Sequence, residues 1–212
     1  MTSAPSDARL AYRLSKRVID VVGSSVLLAV CVIPMTLVAI AVWASSPGPV
    51  LYRGRRVGRG GVEFVQFKFR SMRAECVELR NPDGSTVAST DDPRVTPIGR
   101  LLRRWSLDEL PQLLNVLRGD MSLVGPRPDP PDALRCYRPQ DFARLSVLPG
   151  LTGWAALHGR NTLAWERRRD LDLEYVQARC LWLDLKIMAQ TPALVLLGTG
   201  VNGPKRQEGA LR

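Results

Sequence analysis

The sequence predicts an α+β fold, mostly helical. It has an N-terminal re-entrant membrane helix, a small β-hairpin, and amphipathic interfacial helices grouped around one site. Three observations predict it. Val21 to Ala44 is an uncharged, mainly apolar run with Pro34 inside it. Glu63 to Phe69 alternates in the two-residue period of a strand. Leu110, Leu113, Leu114 and Leu117 recur at i, i+3, i+4 and i+7, the stripe of a helix.

The apolar run has 24 residues, long enough for a membrane helix. Lys16 and Arg17 precede it, and Arg53, Arg55, Arg56 and Arg59 follow it. Cytoplasmic flanks are the ones that collect Lys and Arg, so basic residues on both sides argue that the segment enters and returns. Pro34 lacks an N–H and disrupts the preceding turn, which predicts a break there. Thirteen residues lie before it and ten after. Arms of roughly 15–20 Å are too short to cross a core of about 30 Å alone.

Ser45 to Pro49 reads as a loop, Val50-Leu51-Tyr52 as a short strand, and Arg53 to Gly61 as a basic hairpin loop resting on headgroups. Asn81 to Pro97 is rich in Asp, Pro, Ser and Thr and reads as loop, with Asp91-Asp92-Pro93 as a turn. Ile98 to Trp105 reads as a helix, and the leucine stripe as a second one ended by Gly119. Gly125 to Pro128 and Pro149 to Trp154 read as rigid turns. Thr162 to Arg179 reads as a charged surface helix. Leu181 to Leu197 suits a membrane-interface helix or a core helix equally.

The net charge of +10 in 212 residues implies polyanionic partners, and beside an apolar anchor it favours anionic membrane lipid on the cytoplasmic leaflet. There is no zinc-finger spacing and no RNA-binding aromatic motif, so nucleic acid is not expected. Cys31, Cys76, Cys136 and Cys180 are scattered without metal-ligand spacing, as in a reducing compartment. The single histidine, His158, leaves no histidine pair for chemistry.

The densest polar constellation is Arg103 to Gln112, with Asp108 and Glu109 at the start of the second helix. Spacing alone explains the acids as caps. Asp108 as N-cap puts Pro111 at N3, where its missing N–H costs nothing. Ser106 as N-cap with Glu109 makes a capping box but costs a bond at Pro111. The first arrangement is the expected one.

Several segments together resemble the bacterial sugar transferase family, the small monotopic polyprenyl-phosphate phosphoglycosyl transferases. They are Lys16 to Asp20, Lys68 to Met72, Ser106 to Val116, Gly119 to Pro128, Pro149 to Ala155 and Gly159-Arg160-Asn161, in family order over about residues 13–200. The resemblance implies transfer of a sugar 1-phosphate from a UDP-sugar to polyprenyl (undecaprenyl) phosphate, with UMP released. It makes Asp108 the nucleophile and Glu109 its partner, with Mg2+ held at Asp108 and Glu109. Arg103 would contact phosphate, Lys68 and Arg70 the diphosphate, and Pro126-Arg127-Pro128 the uridine end of the donor. A carboxylate meeting a diphosphate needs cations to offset the repulsion. Ile33 before Pro34 departs from the family's usual serine.

The organisation implied is a polar tail (1–12), the membrane helix (13–45), a catalytic domain at the membrane interface (46–200) and a C-terminal tail (201–212). The expected location is the cytoplasmic face of the bacterial inner membrane, with a homo-oligomer left open. A non-catalytic basic membrane adaptor is the alternative, and it leaves the acid pair, the basic motif and the Pro-Arg-Pro turn unexplained.

Overall fold

The computed structural model describes residues 6–73, 76, 81 and 92–198. Residues 1–5, 74–75, 77–80, 82–91 and 199–212 lie outside them. These include Asp91, most of the loop expected over 81–97, and the C-terminal tail.

The chain opens with α1, Ser6–Ser45, a helix of 40 residues with Pro34 inside it. At 1.5 Å per residue it is about 60 Å long. Two expectations change here. The segment read as tail is already helical from Ser6, and the helix does not break at Pro34. Thr36 Oγ1 donates to Val32 O at 2.8 Å. The carbonyl left without an N–H by Pro34 is that of Val30, four residues back, so this hydroxyl does not replace the missing bond. Among the described residues α1 is the one helix long and apolar enough to cross a membrane. Val18, Val22, Val26, Val30, Ile33 and Leu37 form an exposed apolar stripe along it.

The other face of α1 packs on the rest of the chain mainly toward its two ends. Lys16 and Tyr12 both reach Asp184 at 3.0 Å. Arg17 donates to Val116 O and Leu117 O at 2.7 and 2.8 Å. Asp20 accepts from Leu123 N at 2.9 Å and Ser122 Oγ at 3.0 Å. Thus Lys16 and Arg17, read as membrane flanks, are spent on protein. At the far end Met35, Val38, Ala39 and Val42 join Phe69 and Leu102 in a small second core.

Next comes an antiparallel hairpin of β1, Leu51–Val57, and β2, Glu63–Phe69, in register Tyr52↔Lys68 and Gly54↔Gln66. β1 is longer than expected, so Arg53, Arg55 and Arg56 lie on a strand. The loop shrinks to the turn around Gly60 and Gly61, both at positive φ. α2, Pro97–Arg104, starts on Thr96, whose Oγ1 accepts from Gly99 N at 3.0 Å. Gly99 lies against β2's exit: a Cβ there would sit 1.9 Å from Ser71 O.

α3, Gln112–Arg118, ends on Gly119 at φ 90. Its buried face is Gln112, Leu113, Asn115 and Val116, while Leu114 is exposed. The leucine stripe therefore misplaces the inner face. The helix is wedged between α1 and β2, and two of its inner positions are polar because they bond to β2. Asn115 donates to Val65 O at 2.7 Å and accepts from Phe67 N at 3.0 Å. Gln112 accepts from Gln66 Nε2 at 2.9 Å.

β3, Ser122–Val124, pairs in parallel with β4, Gly150–Thr152, so the second expected turn is in part a strand. Two 3-10 segments, Pro131–Cys136 and Pro139–Ser146, cross between them. α4, Trp154–Leu157, precedes α5, Trp165–Ala178. α5 is not the surface helix expected: Arg169 and Asp172 are buried, because Asp141 and Arg144 meet them at 2.6 and 2.8 Å. α6, Leu181–Leu197, continues through Pro192. It buries Asp184 and Ile187 and exposes Trp182, Leu185, Leu196 and Leu197. The main core joins Leu113, Val116, Met121, Val124, Tyr175, Val176 and Ile187. The mostly helical α+β class with small sheets is as the sequence predicts.

Candidate active site

Asp108 and Glu109 form, with Leu107, a single 3-10 turn between α2 and α3, and both are buried. Neither expected cap exists. Ser106 precedes the turn in the left-handed region (φ 53) with no side-chain cap bond, and Pro111, not Asp108, stands at the N-cap of α3. The acids are therefore not explained as helix caps.

Glu109 is the electrostatic centre. Its Oε1 meets Lys68 Nζ at 3.0 Å and Arg127 Nη2 at 2.8 Å. Burial alone would raise its carboxyl, but Arg127 and then Lys68 hold it below the usual carboxylate range. Asp108 differs. Its carboxylate accepts no hydrogen bond among the described residues. Burial, then the charge of Glu109, push it above the ordinary aspartate range, against Lys68, Arg103 and Arg127. Burial lowers the Lys68 ammonium, opposed by Glu109, whereas Glu109 holds the Arg127 guanidinium up.

Each cation has its own support. Lys68 and Gln66 share one face of β2, two residues apart, and meet Glu109 and Gln112, three apart on the helical side. Arg103 hangs from the last turn of α2 and donates from Nε to Ser71 Oγ at 2.9 Å. Arg127 lies between buried Pro126 and Pro128 in a strap bonded at several points. Gly150 N donates to Pro126 O at 2.8 Å, Arg144 Nη2 to Arg127 O at 2.9 Å, and Val57 N to Asp129 O at 2.9 Å. Gly150 is needed there: a Cβ on it would lie 2.1 Å from Gly125 N.

Of the residues predicted from sequence, Asp108, Glu109, Lys68, Arg103 and Arg127 come together. Arg70 does not. It is buried and donates to Val42 O at 3.2 Å, Ser46 O at 2.6 Å and Pro47 O at 2.6 Å, covering the carbonyls left open at the end of α1. It follows Lys68 by two residues, but β2 ends at Phe69 and the chain turns there. Pro34 lies in α1, away from the acid pair. Sequence reasoning missed Arg160. It donates to Ser106 Oγ at 2.8 Å, and its charge acts on Glu109 and Asp108. The Gly159-Arg160-Asn161 segment carries the resemblance to the family and is the signal that could have drawn Arg160 into the site. His158 is exposed, with Nδ1 against Trp154 O at 2.8 Å.

Among the described residues no three His, Cys, Asp or Glu side chains cluster as a metal cage. Two adjacent carboxylates suit a hard cation that takes its remaining oxygens from a phosphate ligand and water, the habit of Mg2+. The donor set fits magnesium in that shared mode, with Asp108 as the carboxylate not already paired.

Residues 11–198 match the family model described as bacterial sugar transferase. The chain belongs to the bacterial sugar transferase family. It is similar to an undecaprenyl-phosphate glucose phosphotransferase of Komagataeibacter xylinus, 46% identical over 189 residues, or 84% of this chain and 35% of that protein. It is similar to a UDP-glucose:undecaprenyl-phosphate glucose-1-phosphate transferase of Caulobacter vibrioides, 46% identical over 198 residues, 88% of this chain and 72% of that one. An uncharacterized sugar transferase of Bacillus subtilis is 43% identical over 187 residues, 88% of this chain and 89% of that one. The chain thus spans about a third of the first relative and most of the other two. Its family is one of transferases, and α1 is long and apolar enough to cross a membrane.

The placements of Lys68 and Arg70 separate two substitutions. Arg70→Met should destabilise the fold by about 3 kcal/mol, since it leaves buried carbonyls without donors. The folded fraction should keep its KM. Lys68→Met should leave thermal unfolding in detergent little changed and lower turnover by at least about tenfold. A raised KM in folded Arg70→Met would place Arg70 in the site after all.

Proposed function

We propose that the enzyme transfers a sugar 1-phosphate from a UDP-sugar to undecaprenyl phosphate through a covalent aspartyl-phosphosugar, releasing UMP, and so starts a bacterial glycan. The observation that carries this reading is the asymmetry of the acid pair. Glu109 is tied to two cations, whereas Asp108 lies beside them with its carboxylate unbonded. Two relatives are named for transfer involving glucose and undecaprenyl phosphate, which supports the substrate classes.

In the first step an Asp108 carboxylate oxygen attacks the phosphorus that bears the sugar. The bond from that phosphorus to the UMP oxygen breaks, and UMP leaves with the electron pair. In the second step a phosphate oxygen of the polyprenyl acceptor attacks the same phosphorus. The acyl-phosphate bond breaks and Asp108 is restored as carboxylate. Lys68, Arg103 and Arg127 supply fixed positive charge where charge shifts between oxygens. Glu109 holds Lys68 and Arg127 in place. Bound magnesium, held by Asp108 and Glu109 with substrate oxygens, would screen the repulsion between carboxylate and diphosphate.

The membrane reading draws on α1. Its N-terminal part, Tyr12 to Asp20, and its C-terminal end at Val42, with the following Ser46, both bond to the same domain. Attachment of both ends to one domain supports an unbroken helix that lies against one leaflet and does not cross, in place of a hairpin broken at Pro34. The exposed face of α6 lies in the same interface. The net charge of +10 favours the cytoplasmic face.

Asp108→Asn preserves shape and removes the nucleophilic charge. Turnover should fall by more than about 10³-fold with the thermal midpoint little changed. Wild type incubated with a UDP-sugar labelled at the β-phosphorus should hold label until undecaprenyl phosphate releases it. Near-normal UMP release by the folded variant would end the covalent mechanism.

Excess chelator should abolish UMP release, and magnesium should restore it. Full activity after thorough chelation would remove the metal from the proposal.

Topology is read by cysteine labelling in intact cells lacking the native cysteines. Ser3→Cys and Arg53→Cys should both stay unmodified by an impermeant reagent. Labelling of the first alone would make α1 a span.

A further inference from the structure

Ser71 stands on the chain that leaves β2, buried between the hairpin and α2. α2 docks on it at two levels. The main chain is met first. Thr96 N donates to Ser71 O at 3.1 Å, and Gly99 lies so close that a Cβ on it would collide with that carbonyl. One helical turn after Gly99, on the same face, Arg103 comes over the side chain and donates from Nε to Ser71 Oγ at 2.9 Å.

That is the one hydrogen bond the Arg103 side chain makes among the described residues, so Nη1 and Nη2 are unspent. Burial, the largest influence on the guanidinium, works against its charge. Asp108 and then Asp92 favour the charge, Arg94 opposes it, and Glu109 adds least. Asp92 is already held by Arg94, whose main-chain N, Nε and Nη2 reach its carboxylate at 3.0, 2.9 and 2.5 Å. It still draws Arg103 away from the acid pair. Arginine is a long side chain with about 2 kcal/mol of rotamer entropy, so a guanidinium between two acids is not oriented by attraction alone. An acceptor fixed on Nε does orient it. The group is planar, and holding Nε sets where both Nη groups lie.

We infer that Ser71 is a positioning residue for the transfer. Its Oγ holds Arg103 by Nε, so that the free Nη edge serves the phosphorus reacting at Asp108 and does not swing to Asp92. The inference rests on the phosphosugar-transfer reading above and adds the hydroxyl through which Arg103 acts. The contacts that seat α2 use the main chain of Ser71, and Ser71→Ala leaves them intact.

The test is a double-mutant cycle on the first half-reaction, read as labelling of the protein from a UDP-sugar labelled at the β-phosphorus. Ser71→Ala should keep the thermal midpoint close to that of wild type and slow labelling about tenfold. Ser71→Thr, which restores the hydroxyl, should recover most of the rate. In an Arg103→Met background there is no guanidinium to aim, so Ser71→Ala should change labelling by less than about twofold. An equal loss in both backgrounds makes the serine independent of Arg103 and overturns the inference. Labelling by Ser71→Ala at the wild-type rate overturns it as well. If Ser71→Ala does not fold, Ser71→Cys, of similar size and a weaker acceptor, enters the same cycle with the same expectation. A wild type that takes no label overturns the parent reading and this one with it, whereas a labelled wild type with an additive cycle overturns this one alone.

Discussion

The pairing of Glu109 with Lys68 and Arg127 is the interaction on which the site depends. One carboxylate oxygen draws in the hairpin and the Pro-Arg-Pro strap, at 3.0 and 2.8 Å. Glu109 and Lys68 lose most of their hydration there while Arg127 stays about half exposed, and the Coulomb gain must offset that loss. Removing Glu109 would strand the buried Lys68 ammonium, whereas Glu109 keeps one cation when the other is lost. The arrangement therefore fixes geometry more than it adds stability. It also distinguishes the two acids: Glu109 Oε1 is taken by two cations, while Asp108 has no such pairing among the described residues.

Behind this pair the supports are polar where a core would normally be apolar. Asn115 is fully buried and bonds to Val65, Phe67 and Asp120. Gln66 and Gln112 pair beside it. Arg144 binds Asp129, Asp172 and the Arg127 carbonyl, so the strap is anchored to α5. Buried polar groups such as these must be satisfied in one geometry, and that fixes the register between hairpin, α3 and strap. Hydrophobic packing alone would tolerate small slips.

α1 is a second organising element. Polar bonds tie its two ends to the domain, and small apolar contacts fill the length between. Its exposed stripe of Val and Ile residues continues from one end to the other. On the membrane placement proposed above, a helix held this way would present its outer face to lipid and keep the reacting turn close to the interface, where a lipid phosphate and a water-soluble nucleotide would meet.

The apolar N-terminal helix, β2 and α6 are legible in the sequence because each is written in a local period or run. The Asp108-Glu109 pair, Lys68, Arg103 and the Pro-Arg-Pro strap were legible through their motifs. What it could not determine was partnership. Asp108 reads as a cap until Pro111 is seen to occupy that place. Arg70 reads as a phosphate contact until the end of β2 turns it to the carbonyls of α1. Pro34 reads as a break, but the helix continues through it, held to the domain at both ends. The leucine stripe of α3 puts Leu114 inside, but β2 draws Gln112 and Asn115 there instead. The charged residues of α5 read as solvated until Asp141 and Arg144 arrive from elsewhere in the chain. Arg160 stands in the Gly159-Arg160-Asn161 segment, but nothing local places its guanidinium beside Ser106. In each case the deciding contact joins distant segments, and a buried charge or amide goes to whichever partner the fold brings within about 3 Å.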